Sequence, residues 1–281
     1  MKQIISASRR TDIPAHYLDH LISCIHQGFA EVTNPYSGRK TVVDLKPENV
    51  HTIVLWSKNF EHFLCKNNFF DDYNLYFLFT INDLPYLEPS LPSLTKRLIQ
   101  VGKLTDFYDP ERVAWRFDPI VFDHNGPVST INSYISIGKE IARFGVRRSI
   151  FSFMDMYGKV KARNSKFRLN LIDPPRQTKI QYASELAQAA ADIGLSLESC
   201  SEDIGKIDGI KPAACIDGGL LSGLTGESAP LAKDKGQRLH CNCTVSRDIG
   251  SYRDMPCPHG CLYCYANPQI AVTEGDDRCS G

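Results

Sequence analysis

"VHTIVLWSKN", residues 50–59, runs apolar and β-branched up to Trp56 and then turns abruptly polar at Ser57, Lys58 and Asn59. A short apolar run bounded in this way reads as a buried strand. Seven further runs share the pattern: "QIISAS" from residue 3, "FAEVTNP" from 29, "NLYFLFTIN" from 74, "RVAWRFDPIVF" from 112, "VRRSIFSFMD" from 146, "LSLESCSED" from 195 and "IKPAACID" from 210. Segments of helical periodicity lie between several of them. "IPAHYLDHLISCIHQG", residues 13–28, sets Leu18, Leu21, Ile22 and Ile25 on one face and stops at Gly28; "SELAQAAADIG" stops in the same way at Gly194. Strands alternating with helices predict a parallel sheet with crossover helices. Eight such strands predict an α/β fold, a (β/α)8 TIM-like barrel, closed or partly open, over residues 1–217. Residues 218–281 are then a cysteine-rich segment packed on the barrel mouth. The strand pattern is weakest at the second run.

Each run ends in polar residues: Ser8-Arg9-Arg10, Asn34, Lys58, Thr80 and Asn82, Arg116 and Asp118, Ser152 and Asp155, Glu198 to Glu202, and Asp217. Loops are wet, so one or two such endings mean little. A full set, several charged, points to a functional face where the strand ends of a parallel barrel gather. Arg116 and Asp118 share one face of their strand, as a structural ion pair or as substrate contacts. Lys58, Glu198, Glu202 and Asp155 are candidates for acid, base or cofactor contacts. Tyr157 and Cys200 are candidate hydrogen-atom donors should radicals be made. His16 and His20 read as an exposed helix face. Neither a P-loop, nor a dinucleotide-binding glycine motif, nor a nucleophile elbow is present.

The 32 basic and 32 acidic side chains cancel, so overall charge favours neither nucleic acid nor a membrane as partner. No apolar run reaches the ~18 residues that span a bilayer. "MKQIISASRRTD" has neither the apolar core nor the cleavage site of a signal peptide, and the chain is expected in the cytoplasm. Residues 159–179 carry seven Lys or Arg and one Asp: a substrate lid, a patch for phosphate or nucleic acid, or a solvated excursion.

Five of the ten cysteines fall in residues 241–264. In a reducing compartment that clustering points to metal rather than to disulfides. Cys24, Cys65, Cys200, Cys215 and Cys279 are expected as buried or adventitious thiols. Thiolates favour zinc, copper(I) and iron–sulfur clusters. Cys257, Cys261 and Cys264, in "CPHGCLYC", make a three-ligand set. Cys241 and Cys243 leave three readings open. They add a fourth thiolate that closes a cluster for structure or electron transfer, or share zinc with two of the trio. Alternatively they hold a second metal, iron–sulfur or zinc, with Cys200, Cys215 or His240. His259, inside the motif, is expected at the surface or behind the ligands.

The C-x3-C-x-aromatic-C pattern of residues 257–264 resembles the signature of the radical S-adenosylmethionine superfamily. The resemblance implies a 4Fe–4S cluster on Cys257, Cys261 and Cys264. It also implies an open iron that chelates S-adenosylmethionine, with Tyr263 against the adenine. It implies reductive cleavage to a 5′-deoxyadenosyl radical acting on an unknown substrate, with flavodoxin or ferredoxin as reductant. Tyr265, Ala266 and Asn267 complete a "YCYAN" similar to spore photoproduct lyase-like proteins, which implies nucleic-acid repair as an alternative. A non-enzymatic metalloprotein, with a structural or electron-transfer cluster or zinc, is the other. Two features depart from the superfamily: the motif follows every candidate strand instead of the first, and no Gly-Gly-Glu segment stands at the usual distance. Barrel closure accounts for the first. If the cluster loop follows the last strand, its neighbour is the first strand. Ser8, Arg9, Arg10, Thr11 and Asp12 then become candidates to bind the cofactor's carboxylate and amine. Over nearly its whole length the chain also resembles a widespread uncharacterised bacterial family, through "ISASRRTDIPA", "WSKN", "WRFDPI", "SFMDMYGK", "CSED", "ACID" and "QRLHCNC…DIGSYRDMPCPHGCLYCYAN".

Overall fold

The computed structural model describes residues 2–270 apart from Tyr36; Cys279 and the end of the 218–281 segment lie outside the described residues. Eight parallel strands form the central sheet: β1 (Gln3–Ala7), β2 (Val50–Ser57), β3 (Leu75–Thr80), β4 (Val113–Ile120), β5 (Arg148–Phe153), β6 (Ser196–Ser199), β7 (Ile210–Pro212) and β8 (Arg247–Asp248). From β1 to β7 each strand pairs with the next in sequence, and β8 returns to pair with β1. This is the strand order of a barrel. Among the described residues no ladder joins β7 to β8, although the Thr244 N–H donates to the Ile216 carbonyl at 2.9 Å across that side.

Strand alternation sorts the side chains into two layers. Ile5, Ile53, Leu55, Phe77, Phe79, Trp115 and Phe117 pack in one core with the helices α1 (Leu18–Gln27), α2 (Leu94–Phe107), α3 (Ile131–Arg143) and α5 (Arg176–Asp192). Trp115 stacks on Tyr134 of α3 with ring centroids 4.7 Å apart, and both are buried. Each side chain of this size contributes ~1.5–3 kcal/mol when fully buried. The helices start and stop where local chemistry requires. Ser93 accepts from the Lys96 N–H and Thr130 from the Ser133 N–H, satisfying free amides of the first turns. Gly28 ends α1 at φ 79°, the left-handed conformation that suits glycine. The opposite face of the sheet carries Ile4, Val54, Trp56, Tyr76, Leu78 and Ile150, packed with Leu221 of α6 (Gly218–Thr225) and with four cysteines.

Seven of the eight expected strands lie in this sheet. The exception is the weak second run: Phe29–Thr33 pairs antiparallel with Lys40–Asp44 in a separate ribbon. Its residues alternate exposed and buried, the pattern of a strand with one wet face. The eighth strand is instead Arg247–Asp248, two residues with no apolar run to announce them. Polar anchoring holds it: Asp248 accepts from the Ser6 and Ser8 hydroxyls and from the Arg9 N–H at 2.7–2.9 Å. The 218–270 segment therefore supplies both α6 and a strand of the sheet. The basic connection 159–179 is ordered as well. It forms most of α4 (Gly158–Phe167), the short strand Leu171–Ile172 and the start of α5. No helix among the described residues is long and apolar enough to cross a membrane.

Candidate metal centre

The cysteine loop leaves β8 at Gly250 and is clasped on all sides. The Cys257 N–H donates to the Asn267 carbonyl at 3.1 Å and the Gln269 N–H to the Cys257 carbonyl at 2.8 Å, which zips the two ends of the loop together. The Leu262 N–H donates to Leu87, and Arg163 of α4 donates to the Leu262 carbonyl at 2.8 Å. The Tyr17 hydroxyl donates to the Pro256 carbonyl at 2.6 Å. Cys261 is buried, and Cys257 and Cys264 are half-buried. Burial pushes the Cys257 thiol up to about 12 and raises Cys261 and Cys264 as well. Lys58 beside Cys261, and Arg163 and Lys159 toward Cys264, oppose that rise. A metal entering here displaces thiol protons into a setting already supplied with positive charge.

The trio does not close into a mononuclear site, since its three sulfurs do not all lie within 4.8 Å of one another. His16, Cys257 and His259 do, with the His16 Nε2 3.2 Å from the His259 Nδ1. Of the two positions expected for His259, at the surface or behind the ligands, burial rules out the first, and the exposed helix face expected for His16 is corrected to a place beside Cys257. His20 instead stands 3.6 Å from Cys24. Behind His259 lies Asp12, whose carboxylate meets the His259 Nε2 at 2.8 Å. Asp12 also accepts from the Ser57 hydroxyl and the Lys58 and Ala15 amides at 2.7–3.1 Å. Burial opposes its charge, but the hydrogen bonds from His259, Lys58 and Ser57 hold Asp12 below the usual carboxylate range. Burial, and then His259, hold the His16 imidazole down and neutral.

Tyr263 is buried, its hydroxyl donating to Glu88 and accepting from Lys58 Nζ at 2.9 Å. Lys58 pairs with Glu88 at 2.7 Å, and Arg97 stands 3.7 Å from the same carboxylate. Ser8, Arg9 and Arg10 lie at the same end of the sheet as the cysteine loop, and they fasten β1 to the segment around β8. Ser8 binds Asp248, Arg9 reaches Ser246 at 3.2 Å, and Arg10 donates to the Gly250 carbonyl at 2.9 Å. The Thr11 hydroxyl is buried there without a partner.

The remaining sequence candidates form a second group on the face opposite the helices. Arg116 and Asp118 pair at 2.7 Å, and Ser152 binds Asp118. The Arg116 guanidinium lies 4.9 Å and that of Arg9 5.4 Å from the Trp56 ring. Glu198 is engaged by Arg148 through two bonds of 2.8 and 2.9 Å, and Arg148 also reaches Tyr76. Glu202 accepts the Phe153 N–H at 2.8 Å, and burial pushes its carboxyl up to about 7. Asp155 pairs with Arg238 near the surface, where Tyr157 is exposed. Cys200 and Cys215, expected as buried or adventitious thiols or as partners of Cys241 and Cys243, are both buried and touch each other at 3.6 Å. The Cys215 thiol donates to Cys200, and Cys243, which accepts the Ile216 N–H at 3.5 Å, packs with Cys241 in the same cluster. The sequence did not single out Glu88, Arg148 or Arg163: Glu88 stands in an irregular stretch, Arg148 beside Arg147 at the start of an apolar run, and Arg163 among seven basic residues. His16 was visible, and only the fold shows that it faces the cysteine loop.

Comparison with solved structures adds little. A D-hydantoinase matches at 10% identity and TM-score 0.32 over 55% of this chain, which spans 34% of that protein. A candidate alpha-L-fucosidase from Bacteroides thetaiotaomicron matches at 10% identity and TM-score 0.30, over 72% of this chain and 87% of the other. The carboxyl transferase domain of Rhizobium etli pyruvate carboxylase matches at 10% identity and TM-score 0.23, over 80% and 43%. These scores carry no argument. No curated protein sequence matches. The family profile described as "Domain of unknown function (DUF1848)", by contrast, covers residues 4–266, from β1 to just past the cysteine loop, and the chain belongs to that family.

Proposed function

We propose that the chain binds a 4Fe–4S cluster through Cys257, Cys261 and Cys264 and cleaves S-adenosylmethionine reductively at the open iron. One observation carries the reading: the trio keeps three thiols. Cys241 and Cys243, the candidates to close the cluster, pack with Cys200 and Cys215 in one side-chain cluster, whereas Cys261 and Cys264 pack in another. Three thiols that do not all lie within 4.8 Å of one another fit a cluster that spreads its ligands over separate irons. When bound and reduced, the cluster supplies the electron that breaks the carbon–sulfur bond of S-adenosylmethionine. The chain's part is placement. Lys58 and Arg163 set positive charge beside Cys261 and Cys264, and Glu88 and Tyr263 hold Lys58 in position. The parallel sheet and its cyclic strand order support a barrel whose mouth excludes water from the reaction.

The test is anaerobic loading with iron and sulfide, then dithionite and S-adenosylmethionine, with 5′-deoxyadenosine as readout. Fully loaded protein is expected to form it, and Cys261→Ala to lower it at least ~100-fold through loss of a cluster ligand. No product from protein carrying its full iron and sulfide overturns the reading.

A second reading has its own support: one ion on His16, Cys257 and His259, the group that already lies within 4.8 Å. Asp12 at the far nitrogen of His259 is the orienting carboxylate such a ligand commonly has. His16→Ala removes that ion under the second reading and leaves the iron content intact under the first.

A further inference from the structure

Four chain positions far apart in sequence bring thiols into one buried chain of contacts. Cys200 follows β6, Cys215 follows β7, and Cys241 and Cys243 belong to the strandless run that leads into β8. Cys200 meets Cys215 at 3.6 Å, Cys215 meets Cys243, and Cys243 meets Cys241. All four are buried. The sulfurs are unbonded, since a disulfide holds its sulfurs at ~2.05 Å. In a tetrahedral four-thiolate site with metal–sulfur bonds of ~2.3 Å, neighbouring sulfurs stand ~3.8 Å apart. The Cys200–Cys215 contact is already close to that edge, whereas no three of the four sulfurs yet lie within 4.8 Å of one another, so an ion has to draw this chain of contacts into a tetrahedron.

Charge gives a second, independent indication. Four thiolates around a divalent ion carry a net charge of −2. The guanidiniums of Arg9 and Arg116 flank the group, Arg9 toward Cys243 and Arg116 toward Cys200 and Cys215. The Arg9 Nη2 and the Arg116 Nε are buried there without hydrogen-bond partners. Arg116 already pairs with Asp118 through another nitrogen, so what remains at the group is one free N–H on each guanidinium, which anionic sulfur accepts better than a neutral thiol.

We propose that Cys200, Cys215, Cys241 and Cys243 form a second metal centre, a four-thiolate site for a thiophilic ion or cluster, separate from the Cys257 trio. Binding one divalent ion converts the thiols to thiolates and releases their protons to solvent. The centre ties the strand ends β6 and β7 to the run before β8, on the side where no ladder closes the sheet.

The decisive protein is the full chain with Cys257, Cys261 and Cys264 all changed to Ser, which leaves the second site whole and removes the first. Titrated with cobalt(II) without oxygen, it is expected to bind one equivalent with intense thiolate charge-transfer and tetrahedral absorption bands. Adding Cys243→Ser is expected to weaken binding at least ~100-fold, as loss of one of four ligands. As isolated, one zinc per chain or iron with labile sulfide both uphold the site and say which metal fills it. No cobalt binding by the folded triple variant, or a Cys200–Cys215 disulfide in anaerobically prepared protein, overturns it. Should the triple variant not fold, alkylation of the unaltered protein decides. The four thiols are expected to react only after chelation, and equal rates with and without chelator overturn the proposal.

Discussion

Glu202 sits half-buried at the end of β6, where burial raises its carboxyl from 4.5 to about 7. The sign follows from linkage. Below pH ~4.5 the group is protonated in both states. Between there and pH ~7 the unfolded chain releases the proton first, so stability falls as pH rises through that window, by ~2–3 kcal/mol from this group. Glu202→Gln, which keeps an acceptor for the Phe153 amide, is expected to remove that slope in urea midpoints measured from pH 4 to 8. Glu88 is the contrasting case, a carboxylate that Lys58, Arg97 and Tyr263 all face. Glu88→Gln leaves two buried cations without an anion and is expected to cost about 3 kcal/mol in urea unfolding. Lys58 was legible in the sequence because it ends an apolar strand. Glu88 was not, because "LPYLEPSLP" has no periodicity and only the fold sets it against Tyr263.

At the scale of elements, the apolar runs announced seven strands, and period-2 alternation placed Arg116 with Asp118 on one face. The strand that brings the cysteines home was silent. Two residues, Arg247 and Asp248, carry no hydrophobic pattern, and their backbone pairing with β1 is reinforced by side-chain hydrogen bonds to Asp248 that propensity does not encode. The misplaced strand has the same physical origin: "FAEVT" has strand composition, but its turn returns it to a local partner. The β1–β8 junction is tight at Gly250, where an added Cβ would meet the Ser8 side chain, with the Ser8 Cβ 2.6 Å away. Gly250→Ala must push Ser8 off Asp248. The expected loss is ~1–3 kcal/mol in stability, with a fall in iron loaded per chain on reconstitution, while Gly223→Ala, where a Cβ meets open space, leaves both unchanged.

For the molecule as a whole, the cyclic strand order makes sense of a metal motif placed after every other strand. The sheet runs β8, β1, β2 onward, so the segment bearing Cys257 lies next to the N-terminal Ser8-Arg9-Arg10 despite their separation in sequence. Composition and strand alternation made the α/β class legible, and cysteine clustering made the candidate ligands legible. The sequence left Cys241 and Cys243 open between the trio, to which they are nearer in the chain, and a separate group with Cys200 or Cys215, and the fold packs them with the latter. Metal bound only by the folded chain adds to its stability by mass action. Chelation is therefore expected to lower the melting temperature of the as-isolated protein by several degrees, and readdition of metal to restore it; an unchanged melting temperature after complete metal removal counts against both centres.

The hydrogen bond from Ser6 to Asp248 joins residues 242 positions apart, and this separation orders events during synthesis. Seven strands leave the ribosome before β8, the second partner of β1, and the trio follows later still. A nascent chain can therefore fold most of its scaffold, yet it never presents a partly built cradle to iron. On the proposed function, iron insertion is expected only after β8 has joined the sheet and the cysteine loop has docked on it.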